Sequence, residues 1–149
     1  MSDLFKTAGA APDSVAVMAT ETRHLSTFLD RPAQEVYDFA SDPANLPAWA
    51  AGLSSKVEKV DGQWFADSPM GRIELSFAPR NEYGVLDHTV TLASGETTAN
   101  PMRVIPDGAG CEVVFTLRRR PGMTDDDYAA DADAVQADLN TLKHLLEKA

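Results

Sequence analysis

The chain has 149 residues, of which 44% are hydrophobic, and its 13 basic and 23 acidic residues give a formal net charge of −10. This length is enough for one compact domain with a sizeable core, and no apolar run approaches the roughly 20 residues of a membrane span. The acidic balance favours solubility and disfavours nonspecific binding to nucleic acid or anionic lipid. Arg118, Arg119 and Arg120 form a local basic run, which we interpret as a solvated strand edge.

The N-terminal segment, residues 1–19, lacks clear periodicity and the features of a secretory signal. It is rich in Ala, Ser, Asp, Gly and Thr, which predicts a flexible leader and leaves either Met1 or Met18 as the natural start. The single cysteine, Cys111, excludes an intrachain disulfide and indicates a reducing, cytoplasmic location. Residues 20–149 contain no linker-like segment, so we predict that they form one domain.

The predicted domain begins with a strand and two short helices. The strand runs from Thr20 to Leu29, and Pro32 suits the first turn of a helix, where its missing N–H is not needed. Apolar residues then follow the spacing of one buried helical face: Ala33, Val36, Tyr37 and Ala40. Ser41-Asp42-Pro43 combines cap-forming residues with a second proline, so another helix can begin there at a new angle.

Six further segments have the pattern of antiparallel strands, separated by turn signals such as Asp61-Gly62. Pro101 predicts an edge position or a bulge within its strand. Period-two alternation gives two of the strands a clear inward face. These inward residues are Ile73, Leu75 and Phe77 in one strand, and Leu86, His88, Val90 and Leu92 in the other. The predicted strands are Leu53 to Val60, Gln63 to Ala66, Met70 to Ala78, Tyr83 to Leu92, Thr97 to Ile105 and Cys111 to Arg118.

The C-terminal segment is the clearest helix and runs from Asp125 to Lys148. Thr124 is its predicted N-cap, and Asp127 stands three residues later in a shortened form of the capping box. At ~1.5 Å per residue the helix would be about 36 Å long, so its apolar face needs a broad sheet to cover it. That face consists of Tyr128, Ala132, Val135, Leu139, Leu142 and Leu146.

Two stretches, DRPAQEVYDFASDPANLPAW and PGMTDDDYAADADAVQADLNTLKHLLE, resemble the START/Bet v 1-like superfamily (SRPBCC). Together they are similar to a bacterial polyketide-cyclase-like branch of it, and the resemblance extends from about Thr20 to the end of the chain. It implies an α+β helix-grip fold with two short helices after the first strand. In that fold a curved antiparallel sheet, here of about six to seven strands, surrounds a long C-terminal helix and encloses a cavity. Members include binders, transporters and enzymes, so the function has to be argued from the cavity.

The sequence offers little for a metal, a cofactor or a nucleophile. His24, His88 and His144 lie far apart, and Cys111 has no CxxC partner. Cys111 alternates inward beside apolar residues, which predicts an inert buried thiol. Asp107-Gly108-Ala109-Gly110 precedes a strand rather than a helix, so it predicts a hairpin turn and not a phosphate-binding loop. We predict neither a metal site nor a cofactor.

Several residues are candidates for the wall of the implied cavity. His88 can orient a ligand or act as acid and base, or it can be a core histidine bonded to a backbone carbonyl or water. The hydroxyl of Tyr37 can enter the cavity or serve packing. Trp49 either lines an entrance or fastens the helices to the sheet, and Trp64 is a wall or rim residue. The ligand-binding candidates are His88, Tyr37, Trp49, Trp64, Ile73, Leu75, Phe77, Val90, Phe115 and Leu139, and the catalytic candidates are His88 and Tyr37.

Three functions follow from the resemblance and the residues. We favour a binding or carrier module for a small apolar or amphipathic molecule. The first alternative is a polyketide cyclase/dehydratase-type enzyme using general acid–base catalysis. Such cyclases hold an arginine in the pocket, whereas Arg72 is predicted to point outward and Pro101 leaves the direction of Arg103 open. The second alternative is a noncatalytic interaction protein with a filled core. In each case we expect a monomer or homodimer that neither binds nucleic acid nor inserts into a membrane.

Overall fold

The computed structural model describes residues 20–53 and 56–148. The predicted leader, with Met1 and Met18, lies outside these residues, as do positions 54 and 55 of one predicted strand. Within the two described ranges, no helix has the length and apolar character needed to span a membrane.

The first strand and the two short helices form as predicted. Strand β1 spans Thr22–Leu29, helix α1 spans Ala33–Ala40, a 3-10 turn covers Pro43–Asn45, and helix α2 spans Leu46–Trp49. Pro32 occupies the N-cap of α1, and the Asp42 carboxylate caps the next turn by accepting the Ala44 N–H at 3.0 Å. The buried face of α1 consists of Val36, Tyr37 and Ala40.

The remaining strands are arranged in two antiparallel groups. The first group has the order β1-β8-β7 and the second the order β2-β3-β4-β5-β6. The Asp61-Gly62 turn between β2 and β3 has positive φ at both residues, 52° and 82°, which suits a tight hairpin. The strands are β2 (Val57–Val60), β3 (Gln63–Ser68), β4 (Gly71–Phe77), β5 (His88–Thr91), β6 (Thr97–Asn100), β7 (Met102–Asp107) and β8 (Gly110–Arg118).

Residues 20–53 and 56–148 contain eight strands, because Pro101 divides the predicted strand from Thr97 to Ile105 into β6 and β7. Proline has no N–H to contribute to a ladder, so pairing stops at this residue. The Pro101 carbonyl accepts the Thr116 N–H at 2.9 Å and thereby joins β6 to β8 of the other group. The predicted fold class is confirmed: an α+β fold in which a curved antiparallel sheet packs on a long C-terminal helix.

Strand β5 is shorter than the predicted Tyr83 to Leu92, because side chains satisfy the preceding backbone. The amide oxygen of Asn81 accepts the N–H groups of Tyr83 and Val85, and its nitrogen donates to the Val85 carbonyl. The Asp87 carboxylate accepts the Met102 N–H at 2.9 Å. The segment also makes backbone bonds, from the Leu86 N–H to the Met102 carbonyl and from the Val104 N–H to the Gly84 carbonyl. Its pairing is limited to an isolated bridge between Val85 and Arg103.

Helix α3 spans Asp125–Lys148, the predicted range. Its capping box is present, because the Asp127 N–H donates to Thr124 Oγ1 at 3.0 Å and the Thr124 N–H donates to Asp127 Oδ2 at 3.2 Å. The helix packs across β1 and β8. Its buried residues are Tyr128, Ala132, Leu139, Leu142 and Leu146, and Val135 of the predicted stripe is half-buried.

Candidate ligand-binding site

A cavity of about 170 Å³ lies between the sheet and the helices α2 and α3. Its wall is largely apolar and includes three polar side chains, those of Trp49, His88 and Asp138. The lining residues are Leu46, Trp49, Ala50, Leu53, Ile73, Leu75, Phe77, His88, Val90, Phe115, Val135, Asp138 and Leu139. A closely packed core leaves few voids of this size, so the space is a candidate for a ligand.

The structure brings eight of the ten candidate residues together around this cavity: Trp49, Ile73, Leu75, Phe77, His88, Val90, Phe115 and Leu139. The candidates on β4, β5 and β8 lie there because side chains alternate between the two faces of a strand. These three strands turn the same face towards α3. Tyr37 and Trp64 are placed elsewhere.

Tyr37 is buried on the inner face of α1 but does not line the cavity. Its hydroxyl accepts the Asn81 N–H at 2.9 Å, and the Arg80 guanidinium lies 5.0 Å from its ring centre. Helical periodicity correctly predicts that Tyr37 is buried. Its hydroxyl holds the loop before β5 and lies outside the lining of the cavity.

Trp64 lies in β3 opposite Leu75 of β4 and is half-buried. The Lys59 ammonium group lies 5.8 Å from the centre of its ring. Trp64 therefore shares a face of the sheet with Leu75 and packs against the core, but it does not line the cavity.

Five lining residues are absent from the sequence-based candidates: Leu46, Ala50, Leu53, Val135 and Asp138. Helical spacing contains a signal for two of them. Val135 belongs to the predicted stripe of α3, and Asp138 follows it by three residues, at the edge of the same face. Leu46 lies in α2, which is too short to show periodicity, and Ala50 and Leu53 follow that helix.

His88 is held between two aromatic rings of the cavity wall. Its imidazole stacks on Phe77 with a centroid distance of 4.8 Å and an interplanar angle of 21°, and it meets Phe115 edge-on at 6.0 Å. Nδ1 lies 3.0 Å from the Leu86 carbonyl oxygen. Burial lowers the pKa of His88 below the usual histidine value, and this effect outweighs the hydrogen bond to Leu86 and the nearby charge of Asp87. His88 therefore stays neutral at neutral pH.

Trp49 contributes an indole N–H that lacks a partner. Trp49 is 8% exposed, and its Nε1 is the one buried side-chain polar atom within residues 20–53 and 56–148 that makes no hydrogen bond. Leaving such a donor unsatisfied costs about 1–3 kcal/mol.

Asp138 stands where the cavity meets a larger outer pocket of about 480 Å³. Its carboxylate accepts the Ala51 N–H at 3.1 Å, while burial raises its pKa above the usual aspartate value. The outer pocket shares Val90, Phe115, Val135 and Asp138 with the cavity. Its charged residues are Glu96, Asp127, Asp131, Asp138 and Arg120, so its wall is acidic.

Neither of the two arginines considered from the sequence lines the cavity. Arg72 points outward as predicted, where it pairs with Glu58 at 3.2 Å and covers the ring of Phe65. Arg103, whose direction the sequence leaves open, pairs with Asp87 at 3.0 Å and is exposed. Within the lining, His88 and Asp138 are the ionisable side chains.

The described part of the chain contains no group of three or more histidine, cysteine or acidic side chains that could hold a metal ion. Cys111 is fully buried, and burial raises the pKa of its thiol. A thiol with a raised pKa is a poor nucleophile.

Solved structures share this architecture at low sequence identity. A protein from Bacillus thuringiensis superimposes with a TM-score of 0.68 and 13% identity, over 84% of this chain and 98% of the other. Ara h 8.0201 gives a TM-score of 0.67 and 10% identity, over 88% and 100% of the two chains. The chain has the START/Bet v 1-like fold. The helix-grip arrangement implied by the sequence resemblance is thereby confirmed.

A third similar structure is BexL, a di-domain ARO/CYC from the BE-7585A biosynthetic pathway. It gives a TM-score of 0.64 and 18% identity over 85% of this chain and 46% of BexL, so this chain spans about half of that protein. No family model and no curated protein sequence matches the chain. At these identities the likeness establishes the fold and not a function.

Proposed function

We propose that the protein binds a small, mainly apolar molecule in the cavity between the sheet and α3. The observation that carries this proposal is the cavity itself, a largely apolar space of about 170 Å³ between the sheet and α3. For comparison, an engineered apolar cavity of about 150 Å³ in another protein stays dry and binds benzene. The space also counts against a noncatalytic interaction protein with a filled core.

The enzyme alternative depends on the same cavity and has less support. Cyclisation or dehydration requires groups that stabilise charge on a ketone oxygen as well as a base. Tyr37 and both arginines considered from the sequence lie outside the lining, which leaves His88 as the neutral base and Asp138 at the rim. A catalytic His88 predicts a loss of turnover of ~100-fold or more in His88→Phe, whereas a binding role predicts a change in affinity alone.

The test uses toluene as a probe and the two tryptophan indole N–H signals in NMR as reporters. Trp49 lines the cavity and Trp64 does not, so toluene should shift the Trp49 signal and leave the Trp64 signal in place. Val90→Phe places a larger side chain in the wall and should weaken toluene binding about tenfold or more, because the space is then filled.

Thr91→Phe is the matched control, since Thr91 follows Val90 in β5 and its side chain lies on the opposite face of the strand. It should leave toluene affinity unchanged. Thermal unfolding of both variants checks that the fold is retained. Toluene that fails to bind, or that binds Val90→Phe as well as the wild type, contradicts the proposed function.

A further inference from the structure

The orientation of the His88 ring is fixed on three sides. Phe77 stacks on one face at 4.8 Å, Phe115 meets the ring edge-on at 6.0 Å, and Nδ1 lies 3.0 Å from the Leu86 carbonyl oxygen. Both aromatic rings also line the cavity. The imidazole therefore cannot turn freely, and its two nitrogens keep distinct environments.

The hydrogen bond to Leu86 determines which nitrogen carries the proton. A carbonyl oxygen only accepts, so Nδ1 is the N–H, and the neutral ring then has a lone pair on Nε2. Nε2 makes no hydrogen bond to any residue within 20–53 or 56–148. His88 thus carries an acceptor that has no partner among the described residues, and His88 is one of the residues that line the apolar cavity.

The rest of the lining makes this acceptor distinctive. The surrounding wall is aliphatic and aromatic, and the other acceptor group, the Asp138 carboxylate, lies at the outer rim and is engaged with Ala51. The Trp49 N–H in the same wall lacks an acceptor. A hydroxyl group both donates and accepts, so it can serve an imidazole lone pair and can also accept from an N–H donor. A carbonyl or an ether oxygen can accept from an N–H donor but cannot donate to the imidazole lone pair.

The size of the cavity limits what can carry the hydroxyl. A space of about 170 Å³ is close to the ~150 Å³ that accommodates benzene, so one ring with a small substituent fills it. A long polyketide chain or a sterol exceeds this space and would have to extend into the acidic outer pocket. The acidic outer pocket disfavours an anionic group at the rim.

Building on the proposed binding function, we propose that the cavity selects an uncharged, one-ring molecule bearing a hydroxyl group, which donates its hydrogen bond to Nε2 of His88. Phenols and alcohols of this size are the ligand class. Hydrocarbons of the same shape bind without this bond. Ethers have no donor for Nε2 either, although their oxygen can accept from the Trp49 N–H.

The experiment compares phenol, toluene and anisole by calorimetric or NMR titration. Phenol and toluene differ only by a hydroxyl in place of a methyl group, and anisole has an oxygen that only accepts. In His88→Phe the ratio of phenol affinity to toluene affinity should fall about two- to twelvefold, the size expected for one lost hydrogen bond. The anisole-to-toluene ratio should stay constant. Because each variant is judged by a ratio, a change in cavity volume affects both probes and cancels.

His24→Phe is the matched control, since it makes the same substitution at an exposed histidine of β1. It should leave all three affinities unchanged. A second measurement follows the nitrogen NMR signal of His88 Nε2 in the wild type, which needs no variant to fold. Phenol should move this signal as the lone pair accepts a proton donor, and toluene should not.

The outcomes separate this inference from the proposed function. If toluene binds while the phenol-to-toluene ratio is the same in wild type and His88→Phe, the hydroxyl selection is wrong and the binding function stands. An Nε2 signal that stays in place on saturation with phenol would likewise show that the hydroxyl selection is wrong, while the binding function stands. If none of the three probes binds, both proposals are wrong.

Discussion

The carboxylate of Asp138 accepts a hydrogen bond from the backbone N–H of Ala51 at 3.1 Å, which ties the middle of α3 to the residues that follow α2. Both segments line the cavity, so this contact closes one side of its rim. The contact also places a carboxylate where a ligand would leave the apolar space for the acidic outer pocket.

This placement predicts discrimination against anions. Asp138→Asn keeps an oxygen that can accept the Ala51 N–H but removes the charge, so benzoate affinity should rise about threefold to tenfold at about pH 8, as expected for one nearby charge pair that is partly screened by solvent. Benzamide, the neutral counterpart of benzoate, should bind wild type and variant equally. Titration of the two ligands by NMR measures the effect, and an equal gain for both would argue against an electrostatic cause.

Burial of the α3 stripe predicts a large stability difference between two leucines of one helix. Leu139 is 1% exposed and Leu145 is 36% exposed. Leu139→Ala should lower the free energy of unfolding by about 2–5 kcal/mol, because it removes buried surface and enlarges an existing cavity. Leu145→Ala, the control, should change it by about 0.5 kcal/mol or less. Urea denaturation gives both values, and a loss below about half a kilocalorie for Leu139→Ala is incompatible with the helix-grip packing.

The basic run at the end of β8 predicts no affinity for nucleic acid. Arg119 pairs with Glu21 at 3.1 Å and with Asp125 at 2.7 Å, and Arg120 lies 3.8 Å from Asp131. These guanidinium groups are therefore partly neutralised within a chain of net charge −10. An electrophoretic shift assay with random duplex DNA at moderate salt should show no complex. Micromolar binding that weakens as salt is raised would show that the arginines remain available to phosphates.

Local sequence patterns predict most of the fold because they are set by local physics. The capping pair Thr124 and Asp127 marks the start of α3, and the Asp61-Gly62 turn sets the β2–β3 hairpin. Each depends on residues within three or four positions of one another. The division of the sheet at Pro101 is only partly visible in sequence, since the missing N–H is evident but its bond to Thr116 is not.

The candidate site depends more on tertiary contacts. Alternation places His88 on the inward face of β5, and the structure adds what the pattern cannot contain: the stacking on Phe77 and the bond from Nδ1 to Leu86. Tyr37 shows what helical periodicity alone cannot predict. Periodicity establishes that it is buried, but whether its hydroxyl faces a cavity or the backbone of Asn81 depends on a loop 44 residues away in sequence.

The lowered pKa of His88 predicts how stability depends on pH. Burial is the main cause of the shift, so the folded protein resists protonation of this ring while the unfolded chain protonates near the usual value of 6.5. The unfolded state therefore binds more protons as pH falls below about 6.5, and stability declines until the lower pKa of the folded state is reached. Above about 6.5 the contribution of His88 is constant.

Comparison of the wild type with His88→Phe isolates this contribution, because groups shifted in other directions remain in both proteins. The raised pKa of Asp138 acts with the opposite sign, since it favours protonation of the folded state at acid pH. The difference in unfolding free energy between the two proteins should be flat above about pH 6.5. Below about pH 6.5 the wild type should lose stability relative to His88→Phe. The difference in unfolding free energy should shift by at most ~1.4 kcal/mol per pH unit. Urea denaturation across this pH range measures the slopes, and parallel curves for wild type and His88→Phe would mean that His88 is protonated as readily in the folded protein as in the unfolded chain.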